Sequence, residues 1–144
     1  MKRTQRWTRG RLLFLAVSAG YVGFWAQLFP RSFYNSFPGF GRHWIDIDGP
    51  FNEHLIRDVG GLNLALLAVT AAALLRTSSL LLRVTGAAWL VMELPHAAYH
   101  GLHDTPAGST TDRVLAEASL GTLVASAIAL VFLAGKREAI DHTT

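Results

Sequence analysis

Glu93, His96, His100 and His103 are separated by three, four and three residues in the stretch Trp89-Leu-Val-Met-Glu-Leu-Pro-His-Ala-Ala-Tyr-His-Gly-Leu-His103. On a helix that spacing sets the four side chains in one stripe. The stretch belongs to an apolar segment, and ionisable groups at membrane depth face a bundle interior or a wet cavity. Three readings of the stripe are open at this stage. In the first it holds a transition metal. His96 and His100, at i and i+4, match helical His-x-x-x-His pairs. Glu93 and His96 form one half of the Glu-x-x-His ligand set of carboxylate-bridged di-iron bundles, and the sequence has no second half. Imidazole with carboxylate selects zinc, iron, copper or manganese over calcium or magnesium. In the second, a carboxyl buried beside an imidazole is an acid–base pair that needs no metal. In the third the stripe is structural. Pro95 frees a backbone carbonyl near residue 91 for His96, and His100 and His103 lie among lipid headgroups.

A second cluster is Phe51-Asn-Glu-His-Leu-Ile-Arg-Asp58. Glu53 and Arg57 stand at i and i+4, a favourable ion-pair spacing, and His54 and Asp58 repeat it on the next strip. Asp58 would orient His54 through one ring nitrogen and leave the other for a ligand. The alternative is a solvated helix start that pairs its own charges. The expected metal set is His96, His100, Glu93, His54 and His103, with Glu117 and Asp58 as further ligands or supports. The expected acid–base set is Glu93, His54, Asp58 and Glu117. Haem is a variant, with His54 and either His96 or His100 as axial ligands from two helices. Asn63 is read as hydrogen bonding between helices.

The elements that must position these residues follow from hydropathy. The chain has 144 residues, 51% hydrophobic and 16% charged, and a positive mean hydropathy. A length of this order is one domain, residues 1–144. The apolar residues come in four blocks of roughly the ~20 residues needed to cross ~30 Å of hydrocarbon. With no water there to satisfy the backbone, helices are expected, at about 12–28, 51–75, 80–103 and 113–134. The fold class is thus all-α, an integral membrane four-helix bundle. An aromatic-rich loop of about 29–50 joins the first two helices, carrying Phe29, Phe33, Tyr34, Phe37, Phe40 and Trp44. Such density suits a membrane–water interface and predicts a compact cap. Asp48 is expected to cap the second helix, with Pro50 in its first turn. Gly60, Gly61 and Gly86 read as close helix contacts.

Nine of the thirteen Lys and Arg residues fall on one side: Lys2, Arg3, Arg6, Arg9, Arg11, Arg76, Arg83, Lys136 and Arg137. That places both termini in the cytoplasm and the chain in the plasma membrane as a multi-pass protein. The same clustering at helix ends accounts for the pI near 9.8 and removes nucleic acid as a partner. The first apolar segment is read as an uncleaved anchor, because the apolar run continues past the small residues Val17-Ser18-Ala19-Gly20. Five of the six histidines and most carboxylates, Asp104 among them, then lie towards the outer side; His142 is on the cytoplasmic tail. Each helix brings a polar group to its outer end: Gln27; His54, Asp58 and Asn63; Glu93, His96 and His100; Glu117. Facing helices of a bundle build cofactor sites in this way. Absence of cysteine excludes disulfides and thiolate chemistry.

At Arg57-Asp-Val-Gly-Gly-Leu-Asn-Leu-Ala-Leu the sequence resembles DoxX-like small membrane proteins. It also resembles short actinobacterial membrane proteins that carry an Asn-Glu-His-Leu-x-Arg-Asp step and a later Pro-His-x-x-x-His. The resemblance covers about residues 50–103. It implies a four-helix bundle with a Gly-rich second helix after an extracytoplasmic segment, and an association with redox partners or membrane complexes. The histidine stripe is not carried over from the DoxX-like proteins.

Three functions are expected from these residues: a metal-handling or redox protein, an acid–base enzyme for a lipid or isoprenoid, and an accessory subunit docking through its aromatic cap. Membrane lipid, a membrane-protein partner and a second copy of the chain are the expected partners.

Overall fold

The computed structural model describes residues 2–47, 49–103 and 109–141. The chain is all-α apart from one two-stranded turn. Helix α1 spans Lys2–Leu28, α2 Pro30–Ser36, α3 Glu53–Leu75, α4 Ser79–Leu102 and α5 Thr110–Asp141. Strands β1 (Pro38–Gly39) and β2 (Arg42–His43) pair antiparallel, Pro38 opposite His43. Among the described residues three helices are long and apolar enough to cross a membrane, within Thr4–Leu28, Glu53–Leu75 and Thr110–Lys136. Helix α4 is long enough but is not among them; Arg83, Glu93, Pro95 and its histidines dilute its apolar residues.

Helices α1 and α5 outrun the expected apolar blocks. The Lys, Arg, Gln and Thr residues that begin α1 include no proline, and once a helix is nucleated each added residue gains a hydrogen bond. Helix α3 starts later than expected. Asn52, not Asp48, is its cap, and its side chain accepts a hydrogen bond from the Leu55 amide at 3.2 Å. Asp48 lies outside the described residues, as do Asp104 and His142. Ser78 caps α4 in the same way.

The helices form two tight pairs, α1 with α3 and α4 with α5. Glycine permits both approaches. A Cβ at Gly60 would stand 2.6 Å from the Gln27 nitrogen on α1, and one at Gly86 2.7 Å from Val131 Cγ2 on α5. At the basic end of the molecule the pairs close on a shared core of Leu12, Leu15, Leu66, Leu82, Trp89 and Leu130. Within it the Trp89 indole donates to Thr70 Oγ1 at 3.0 Å, and the Thr70 hydroxyl donates to Leu66 O at 2.7 Å. This buried chain joins α4 to α3 with every donor used.

Residues 29–52 fold over the other end as a cap. Phe33, Phe37, Trp25 and Tyr21 make a chain of edge and tilted ring contacts, and Phe33 is buried with Ala26 and Ile56. The Tyr21 hydroxyl donates to Pro38 O at 2.9 Å, fixing the turn to α1. Gly39, Phe40 and Gly41 take positive φ to reverse the chain between β1 and β2. Arg42 Nη1 and Trp44 Nε1 both donate to Asp112 Oδ1, the indole at 2.9 Å, and Ser109 Oγ donates to Asp112 Oδ2 at 2.6 Å. The cap, continuous with α1 and α3, is thereby clasped to the start of α5.

Candidate functional site

Between the two helix pairs, under the cap, the chain encloses a cavity of about 460 Å³. Its size falls in the range of small-molecule sites. Phe33, Phe37, Trp44, Ile45 and Ile47 form the roof. Helix α1 adds Ser18 and Val22, and α3 adds Ile56, Val59 and Asn63. Trp89 and Met92 from α4, and Ala116, Leu120 and Leu123 from α5, complete the apolar wall. Its polar points are few: Glu93, His96 and His100 on α4, Arg113, Glu117 and Ser119 on α5, with Asn63 and Ser18 opposite.

Of the expected stripe, Glu93, His96 and His100 lie on α4 and line the cavity, and His103 is the helix's C-cap. Trp89, Glu93, His96 and His100 continue one face at four, three and four residues, and Pro95 is an exposed residue inside the same helix. Glu93 is 3% exposed. Its Oε2 has no hydrogen-bond partner, and His96 Nδ1 stands 3.5 Å from it. The His96 and His100 rings stand 5.0 Å apart. His96 is about half exposed, so the pair leads from the buried carboxyl towards the mouth.

The second cluster stands elsewhere. His54 Nε2 and Asp58 Oδ2 are 3.4 Å apart, as the spacing predicts, but their side chains are 83% and 56% exposed and neither lines the cavity. Helix α3 turns Ile56, Gly60, Asn63 and Leu66 inward, and positions 54 and 58 fall on its outer strip. Glu53 accepts from Arg57 Nε at 2.9 Å, and Arg57 Nη1 also donates to Gln27 O across the α1–α3 seam. Asn63 Nδ2 donates to Val59 O of its own helix at 3.0 Å, so it is not the bond between helices that the sequence suggests. His103 lies beyond the cavity, stacked 4.3 Å from Tyr99 and bonded to the Tyr99 carbonyl. Glu117 faces the cavity from α5. Gln27 Oε1 is buried and without a partner at the α1–α3 contact.

Of the expected ligands the fold therefore gathers Glu93, His96, His100 and Glu117 around one cavity and leaves His54, Asp58 and His103 outside it. Among the described residues no three His, Asp or Glu side chains already converge at metal-holding distance. The apolar roof and the Asp112 clasp carry no short-range sequence signal. Trp89 does: it continues the Glu93 stripe one turn deeper. No protein family, curated protein or solved structure matches the chain.

Proposed function

We propose that the chain is a four-helix multi-pass protein of the plasma membrane, with both termini cytoplasmic, that binds an apolar molecule bearing one polar end. Lipids and isoprenoids are the class. Glu93 and His96 would exchange a proton with that end. The observation that carries the reading is Glu93, a carboxyl almost wholly withdrawn from solvent with one oxygen unpaired and facing a mainly apolar cavity. An unpaired buried carboxyl oxygen costs ~1–3 kcal/mol, so its retention argues for a ligand that supplies the missing partner. His96, beside Glu93 at 3.5 Å and about half exposed, suits the onward transfer of that proton. Helix α4 crosses with the other three on this reading. It runs back from α3 after a three-residue connection to pack along α5, and its 24 residues reach ~36 Å.

The His96–His100 pair favours a second reading, a transition metal such as zinc, iron or copper, or haem iron. Rotation of the Glu93, His96 and His100 side chains would bring them to one ion, with Glu117 across the cavity. The DoxX-like resemblance and its redox association belong with this reading.

One preparation tests both. Detergent-purified wild type, Glu93→Gln and His96→Ala/His100→Ala are compared by lipid mass spectrometry, elemental analysis and visible absorption. An apolar compound retained by wild type and lost from Glu93→Gln, with no stoichiometric metal, is the expected result. Stoichiometric metal or a Soret band lost in the histidine double variant establishes the second reading. A wild type that retains neither, with cellular function surviving Glu93→Gln and failing on cap substitutions, makes the protein a docking subunit and overturns both.

A further inference from the structure

A second concavity lies at the opposite end of the molecule, between α1 and α5. Arg6, Trp7, Gly10, Arg11 and Phe14 of α1 face Thr122 and Ser126 of α5 across an open groove of about 720 Å³. Positions 6, 10 and 14 share one strip of α1, and 7, 11 and 14 the next. From Arg6 to Phe14 the groove climbs ~12 Å, eight residues of helix, from guanidinium groups to an apolar floor. Gly10 opens it: a Cβ there would meet nothing within 4 Å. Arg11 lies 5.6 Å over the Trp7 ring, and Trp7 is 58% exposed, as an indole at a membrane interface is. No carboxylate lines the groove among the described residues, and the chain has no acidic residue before Asp46. Thr122 spends its hydroxyl proton on Ala118 O at 2.7 Å, so it closes the floor without needing a ligand.

We infer that this groove binds one anionic phospholipid of the surrounding membrane, its phosphate between Arg6 and Arg11 and the first part of an acyl chain along Phe14. Guanidinium groups match phosphate oxygens in geometry and charge, and basic pockets between membrane helices hold anionic headgroups. The site rests on the membrane placement of α1 and α5 and is independent of what the cavity under the cap binds.

The test uses the full chain in detergent with equal phosphatidylglycerol and phosphatidylcholine, retained lipid being counted by native mass spectrometry. One phosphatidylglycerol per chain is expected in preference to phosphatidylcholine. Retention should fall about fivefold for each of Arg6→Gln and Arg11→Gln. Arg9→Gln removes the same charge from an exposed position outside the groove and should leave retention unchanged. Gly10→Leu keeps every charge and fills the groove, and should displace the lipid. Equal retention of the two lipids, an equal loss in Arg9→Gln, or no effect of Gly10→Leu would each overturn the site. Failure of the chain to enter bilayers at all is read separately, by reconstitution, and would remove the membrane placement itself.

Discussion

Glu93 is placed where a stable core would carry an apolar side chain. Replacing it with methionine, which fits a similar volume, removes an unpaired buried oxygen. Glu93→Met should therefore unfold about 1 kcal/mol later than wild type in denaturant titrations followed by circular dichroism in detergent. The same variant should lose the cavity's ligand. Gain of stability with loss of binding is the expected mark of a working residue; a marked loss of stability would instead make Glu93 a structural group. The stripe around it was legible because helical period alone puts residues 93, 96 and 100 on one face. Its separation from His54 was not. Helical period places His54 beside Asp58 but does not fix which strip of α3 turns inward, and that is decided by where Gly60 lets α1 approach.

At the scale of elements, the two glycines at 60 and 61 make opposite predictions from adjacent positions. A methyl group at Gly60 meets Gln27 backbone, so Gly60→Ala should destabilise by ~1–3 kcal/mol and loosen α1 from α3. At Gly61 the nearest atom to an added Cβ is Gln27 Oε1 at 4.0 Å. Gly61→Ala should be neutral or stabilise by up to ~1 kcal/mol through helix propensity. Thermal unfolding of the two variants side by side checks the pair. Both glycines read as close contacts in the sequence; only the packing separates them. Helix existence was legible throughout, since long apolar blocks leave no other backbone solution in a membrane. The short α2 and the β1–β2 turn were not, because aromatic density predicts burial at an interface and says nothing of the local fold within it. Helix ends moved for a local reason, Asn52 offering a side-chain acceptor to α3 four residues after the expected cap at Asp48.

At the scale of the whole molecule, the proposed topology can be read by single cysteines, since the chain has none of its own. Phe40→Cys, at a tip 98% exposed, should react with an impermeant maleimide in intact cells. Ser78→Cys, in the α3–α4 connection, should react only after lysis. Reaction at both positions from one side would refute the four-span arrangement. The clasp at Asp112 holds the cap against the far helix pair, so Asp112→Ala should free Arg42 and Trp44 together. Because the clasp is partly exposed, the stability loss should be small. Exchange of the cavity's ligand should become faster, read as an increased dissociation rate with little change at Glu93.

The clasp also sets an order of assembly. Arg42 and Asp112 are separated by 70 residues, and chains emerge and fold from the N-terminus. The cap and the α1–α3 pair are thus made before α4 and α5. During that interval the roof of the cavity stands over an unfinished floor, open to the bilayer along its whole length. The last helix to arrive both walls the chamber and fastens its lid. An apolar ligand of the proposed kind would then be enclosed as the protein is built, and need not enter through the finished mouth.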